Sequence, residues 1–263
     1  MPHPAVLPDL GLPVRRVSTR RGRMYQVGDD QFPSMTNVLG VLAKPALVGW
    51  AANLERQHVV DHAAALYRDQ YGLPQLGDRA FRDSLRGRLG SPAHRQTVQG
   101  AQTIGSEAHA LIEWQMRRRL GQPVDDEPVV SEGAALAVMA FEDWARSVTL
   151  TPIASETMIY SAEHRFGGTL DLVAEVDGVV VLIDFKTSKR LYIEHHLQNV
   201  GYQIAWREMG YRPCGGGLIV RLPKTLDDKV ECEVVPVRPV EDTWPAVEAA
   251  IQLWWWLHDR RAS

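Results

Sequence analysis

The sequence predicts an α/β fold in which a mixed central β-sheet is flanked by helices. A largely helical N-terminal extension over residues 1–100 precedes a core over residues 101–263. Three observations carry this reading. Asp177-Gly178 stands between two apolar, β-branched runs, the strongest short signal for a hairpin closed by a two-residue type I′ turn. Val179 to Ile183 is an apolar run without alternation, as expected of a central strand buried on both faces. A helical stretch from about Ile193 to Glu208, stopped at Gly210, separates that hairpin from a further strand at Leu218 to Arg221.

The other elements follow in chain order. Residues 1–16 are rich in Pro and Leu and read as irregular. Arg20 to Val27 and Gln31 to Thr36 form a short hairpin around Gly28-Asp29-Asp30. Ser34 or Thr36 is placed to cap a helix through Val38-Leu39-Gly40-Val41-Leu42. From Pro45 to about Tyr71 the apolar residues Trp50, Leu54, Val59, Ala63 and Leu66 recur near one helical stripe. Gly72 to His94, rich in Gly, Arg and Pro, is the most loop-like part. Helices are expected from Thr103 to Leu120 and from about Glu132 to Ser147, then strands at Ile153 to Tyr160, Gly168 to Val176 and Val179 to Lys186. Val230 to Val237 reads as a strand, and from Pro239 a C-terminal helix carries Trp254-Trp255-Trp256. No internal repeat is visible.

At 263 residues, 45% hydrophobic and 23% charged, the chain has the composition of an ordinary globular protein. A formal charge of −3 argues against a globally basic polyelectrolyte binder and leaves room for a local basic groove. Met1-Pro2-His3-Pro4 lacks the pattern of a signal peptide, and no run is long enough to span a membrane, so a reducing cytoplasm is expected. Cys214 and Cys232 are too few for a disulfide framework or a four-thiolate cluster.

A type I′ turn at Asp177-Gly178 pairs Val176 with Val179, and counting outward sets Asp171 across from Asp184. Lys186 shares the face of Asp184, and Phe185 points away. Directly opposed residues have Cβ atoms about 4.5–5.5 Å apart, where like charges repel, so the pair calls for a counter-charge. Hard carboxylate oxygens suit Mg²⁺ or Mn²⁺. A surface hairpin with an incidental Asp184–Lys186 ion pair accounts for the same residues equally well.

The neighbouring motifs separate these readings. Gly168-Thr169-Leu170-Asp171 followed by Ile183-Asp184-Phe185-Lys186-Thr187 resembles the active-site hairpin of the PD-(D/E)XK nuclease superfamily, and most of all its RecB-like exonuclease branch. Upstream, Gly105-Ser106-Glu107-Ala108-His109-Ala110-Leu111-Ile112-Glu113 resembles the helical motif of that branch. Downstream, Gln198-Asn199-Val200-Gly201-Tyr202 is similar to its Q-x-x-x-Y signature. Leu170-Asp171 stands where the family's Pro-Asp would be. The resemblance implies a restriction-endonuclease-like core and metal ligation by His109, Asp171, Asp184 and the Phe185 carbonyl. It implies Lys186 as the catalytic lysine, with Gln198 and Tyr202 contacting the DNA backbone or the lysine region.

The activity so implied is a Mg²⁺- or Mn²⁺-dependent exonuclease acting on linear DNA, with single-stranded ends favoured and 5′-phosphates as products. It would serve recombination, repair or replication in a bacterial or phage-encoded setting, with a helicase or recombination protein as partner. A related CRISPR adaptation branch carries four cysteines for an iron–sulfur cluster, and none is expected here. The alternatives are a catalytically silent DNA-binding or assembly module of the same fold, and a structure-specific endonuclease.

Further residues are candidates on weaker grounds. Glu156, on the strand before the hairpin, would complete a second ion site. Thr187-Ser188-Lys189-Arg190 would form a phosphate-binding surface at the N-terminus of the following helix. Ser34 and Thr36 would touch DNA, although capping accounts for them as well; Pro33-Ser34-Met35-Thr36 and Lys44 to Trp50 resemble an extension of phage-encoded RecB-like exonucleases. Glu107 reads as solvated, Glu113 as a partner of His109 or a surface ion pair, and Tyr160, His164 and Arg165 as flanking the approach to the hairpin. Arg15-Arg16 with Arg20-Arg21-Arg23, and Arg117-Arg118-Arg119, are basic clusters that line a DNA groove or are merely solvated.

Overall fold

The computed structural model describes residues 13–42, 45–69, 93–223 and 231–258. The expected irregular segment before residue 13, the loop at 72–92 and the start of the strand at Val230 lie outside the described residues. Two compact units are present, one of Met1–Leu42 with Ile104–Ser263 and one of Ala43–Thr103. The smaller unit contains the helix α2 (Pro45–Asp69), with a Gln57 to Asp61 hydrogen bond of 2.8 Å one turn apart.

In the larger unit, β1 (Val14–Thr19), β2 (Gly22–Val27) and β3 (Asp30–Pro33) make an antiparallel sheet in that order. Val14 to Arg16, expected to be irregular, are therefore a strand: each residue of β1 finds a partner in β2, from Val14↔Val27 to Thr19↔Gly22. Ser34 caps α1 (Met35–Leu39), its Oγ accepting the Asn37 N–H at 3.1 Å. The helix α3 (Ala93–Arg119) begins ten residues before the sequence signal at Thr103, and α4 (Glu132–Ser147) follows it.

The second sheet has the order β4-β5-β6-β7-β8, formed by β4 (Leu150–Ser161), β5 (Phe166–Val176), β6 (Val179–Lys186), β7 (Gly216–Arg221) and β8 (Glu233–Pro236). The β6 and β7 strands are parallel, joined through α5 (Ile193–Glu208), and the other pairings are antiparallel, giving the mixed sheet expected from the sequence. After β8 comes α6 (Val240–His258). Asp177 and Gly178 have φ of 48° and 85°, the positive values that a type I′ turn demands.

The continuous apolar run of β6 is explained by helices on both sides. Val180 and Leu182 enter a core with α1, α5 and α6, whereas Val181, Ile183 and Phe185 enter a second core with α3 and α4. Each fully buried side chain of this size contributes about 1.5–3 kcal/mol. Between the parallel strands, buried Asn199 on α5 donates to Leu182 O at 3.1 Å and Leu218 O at 3.4 Å, while its Oδ1 accepts from Gln203. The Trp triplet is divided as helix geometry requires: Trp254 is in the core, Trp255 donates to Arg165 O, and Trp256 is exposed. Among the described residues no helix is long and apolar enough to cross a membrane.

Asn199→Leu leaves two strand carbonyls and Gln203 without their buried partner. The expected loss is about 1–3 kcal/mol of unfolding free energy in urea titration. An unchanged transition midpoint would show that Asn199 does not tie β6 to β7.

Candidate active site

The hairpin register holds from Val176↔Val179 to Leu172↔Ile183, one pair short of the two aspartates. There the ladder gives way, and a side chain takes over: Asp171 Oδ2 accepts the Phe185 N–H at 2.8 Å. The Asp171 carboxylate thus sits at the end of β6 in place of a backbone carbonyl.

Asp184 is 2% exposed. Burial pushes its carboxyl up from the ordinary range, the Lys186 charge opposes that shift, and Asp171 adds to it. Lys186 Nζ donates to Asp184 Oδ1 at 2.8 Å and to Gln198 Oε1 at 3.0 Å. Gln198 in turn donates through Nε2 to the Tyr202 hydroxyl at 2.9 Å. Tyr202 is 4% exposed, and burial raises the pKa of its phenol. Gly168 is required beside it, because a Cβ there would collide with the Tyr202 ring.

Opposite this relay, α3 delivers His109. A Cβ on Gly105, one turn earlier, would lie 2.7 Å from Thr187 Oγ1, so the glycine permits the close approach of helix and strand end. His109 Nδ1 lies 3.6 Å from Asp171 Oδ1, and its ring meets Phe185 edge-on, which in turn meets Phe141 edge-on. One turn further on, Glu113 pairs with Arg117 at 2.8 Å rather than with His109.

Glu156 joins the group by a route that the sequence only hinted at. Along β4 the register with β5 shifts by one between Pro152↔Ala174 and Ala154↔Val173. Without that bulge Ser155 would stand opposite Asp171; with it, Glu156 does, between the pairs Ser155↔Leu172 and Thr157↔Leu170. Glu156 has φ of 44°, a left-handed backbone that a glutamate seldom adopts. The available signal was Pro152, since proline within a strand marks an edge or a bulge, and β4 is an edge strand. Burial above all, then the charge of Asp171, pushes Glu156 up from 4.5 to about 8.

The ligand atoms of His109, Glu156 and Asp171 all lie within 4.8 Å of one another, and the buried Asp184 Oδ2 lies 2.6 Å from Lys186 Nζ. Two carboxylates and an imidazole converging beside a third, buried carboxylate suit a hard divalent cation. The sequence grouped His109 with Asp171 and Asp184. The structure groups it with Asp171 and Glu156, and sets Asp184 beside them against Lys186.

Other expected site residues are placed differently. Ser34 is 2% exposed, with its hydroxyl engaged in the α1 cap, and Thr36 is exposed. Thr187 to Arg190 do not occupy a helix N-terminus, because α5 begins only at Ile193, where His195 Nδ1 accepts the Tyr192 N–H at 3.3 Å. They form the loop before it, in which Ser188 donates to Arg190 O and Lys189 and Arg190 are exposed. Glu107, read as solvated, accepts both the backbone N–H and the hydroxyl of Ser131 at the start of α4, which lowers its pKa. His164 faces Glu208 at 3.4 Å and the Trp244 ring, and Arg165 stacks on Trp255. Cys214 and Cys232 are free thiols pushed up to about 12 by burial.

A family model described as the PD-(D/E)XK nuclease superfamily matches residues 116–252, which include Glu156, Asp171, Asp184, Lys186, Gln198 and Tyr202. No curated protein matches the sequence.

The raised pKa of Glu156 has a definite sign in stability. Between pH 4.5 and about 8 the folded chain holds a proton that the unfolded chain releases, so this group's contribution to stability falls as pH rises through that window. In the presence of a chelator, Glu156→Gln should therefore gain stability over the parent as pH rises, with the gap closed below pH 4.5 and fully open above about 8. Denaturant titrations across that range check this; parallel curves would mean that Glu156 is not buried as a proton-holding acid.

Proposed function

The chain belongs to the PD-(D/E)XK nuclease superfamily, and on that footing we propose that it is a metal-dependent DNA exonuclease of the RecB-like type. The observation that carries the proposal is the relay Tyr202–Gln198–Lys186–Asp184, which holds a lysine ammonium at the rim of a cluster of carboxylates and an imidazole. A solvated surface lysine would need no such buried ordering. His109, Glu156, Asp171 and Asp184 are the residues that would hold Mg²⁺ or Mn²⁺, with the Phe185 carbonyl as a further ligand.

Such a cation, when bound, supplies the counter-charge that the carboxylates lack and draws electron density from a phosphate oxygen. The rest is the work of the chain. Lys186 Nζ is fixed by both Asp184 oxygens, at 2.8 and 2.6 Å, and by Gln198 Oε1 at 3.0 Å. In that position Lys186 orients the attacking water and stabilises negative charge gathering on phosphorus. The water oxygen loses a proton to solvent and bonds to phosphorus in line with the departing 3′ oxygen, the P–O3′ bond breaks, and the 3′ oxygen takes a proton from solvent, giving a 5′-phosphate and a 3′-hydroxyl. Asp171, anchored on Phe185 N–H, and His109, packed on the Phe185 ring, keep the ligand set rigid.

Purified protein should degrade end-labelled linear DNA in Mg²⁺ or Mn²⁺, stop on addition of chelator and spare a closed single-stranded circle. Asp184→Ala and Lys186→Ala should each lower the rate by about a thousandfold or more with an unchanged circular dichroism spectrum. Cleavage of the circle would sink the exonuclease reading, and undiminished metal-dependent degradation by either variant would sink the site.

A further inference from the structure

Two arginine clusters stand out in the sequence, and the structure separates them. On α3 the cluster is spent internally. Arg117 pairs with Glu113 at 2.8 Å, Arg118 lies over the Trp114 ring at 4.6 Å, and Arg119 donates to Leu150 O, the first residue of β4. These arginines brace the helix against its surroundings.

The β1–β2 hairpin is different. Arg15, Arg16, Arg20, Arg21 and Arg23 are all exposed, and among the described residues none of them is in an ion pair. Five uncompensated guanidiniums fall within nine residues of a chain whose formal charge is −3. An exposed cluster of one sign raises the local positive potential and attracts polyanions.

The hairpin is also held stiffly beside the carboxylate cluster. Tyr25, directly across from Arg16, bonds through its hydroxyl to Thr169 Oγ1 at 2.9 Å, two residues before Asp171. Its ring lies over Gly167, where a Cβ would come within 2.8 Å, and Ser34 bridges to the same glycine. At the turn, Asn37 Nδ2 donates to Arg21 O at 3.2 Å and Arg23 O at 2.8 Å, against Gly22 with φ of 91°.

We propose that the β1–β2 hairpin is the surface that grips the substrate strand, Arg16 meeting the phosphates nearest the carboxylate cluster and Arg20, Arg21 and Arg23 those further along. This rests on the nuclease reading and adds to it the surface by which the polyanion is held. Arginine suits the task because its planar fork can bond two phosphate oxygens at once and is always charged.

The test uses the full chain, with Lys186→Ala as background for binding and the unaltered site for kinetics. Affinity for a short labelled single-stranded oligonucleotide is followed by fluorescence anisotropy over a range of salt. Replacing Arg16, Arg20, Arg21 and Arg23 together by Ala should flatten the plot of log K against log salt by about 3, at ~0.7 per single-strand phosphate contact, and raise KM about tenfold or more with kcat within about twofold. The matching Lys replacement should keep most of the salt slope. Unchanged affinity and slope in the Ala protein would overturn the proposal. Should that protein melt early, the single Arg16→Gln and Arg23→Gln variants decide, each expected to lower the slope by about 0.7, and neither doing so is equally fatal. An unsubstituted chain that neither cleaves nor binds DNA fails the nuclease reading itself, which is a different outcome from an active chain indifferent to these arginines.

Discussion

Negative charge crowded at one end of β6 is the constraint around which the rest of the larger unit is arranged. Three neighbouring strands each bring one carboxylate: Glu156 from β4, Asp171 from β5 and Asp184 from β6. The chain relieves this crowding in three ways. Lys186 neutralises Asp184 directly, the Phe185 N–H bonds Asp171, and Glu156 is driven toward its protonated form. Each is partial, since Lys186 pairs with only one of the three carboxylates. A site only partly neutralised in this way is suited to a divalent cation, whereas a purely structural core would have been built from apolar residues.

The surrounding packing serves to hold these groups against their mutual repulsion. Glycines at positions 105, 167 and 168 admit Thr187, Tyr25 and Tyr202 to distances that any Cβ would forbid. The rings of Phe185 and Phe141 back His109 from the core of α3 and α4. On the other side of the sheet α5 supplies both a structural clamp, Asn199 on two strand carbonyls, and the Gln198 that fixes Lys186. The site is thus assembled on regular elements of the sheet and helices, which position side chains more closely than loops do.

Charge outside the site follows the same division between groups that are answered and groups that are not. Arg117, Arg118, Arg119 and Arg165 each have a partner within the fold. Those of the β1–β2 hairpin have none among the described residues, yet its backbone is tied down by Tyr25, Ser34 and Asn37. A stiff element with unanswered charge loses little entropy on meeting an anion, which is why the proposed substrate surface is assigned there.

What the sequence by itself determined is what local physics determines. The Asp-Gly turn set the β5–β6 register as far as Leu172↔Ile183, and helical periodicity set α4 and α5, whereas it was resemblance to the nuclease motifs that joined His109, Gln198 and Tyr202 to Asp171, Asp184 and Lys186. Tertiary structure alone decided the rest. The bulge after Pro152 that turns Glu156 toward Asp171 depends on how an edge strand meets its neighbour, and no turn chemistry in β4 reveals it. Whether Ser34 faces solvent or a helix, whether Glu107 is solvated or bonded to Ser131, and which arginines are already engaged are long-range questions. For Glu107 and Ser131 or Arg119 and Leu150 the partners are 24 and 31 residues apart, and a reading of period and spacing has no access to them.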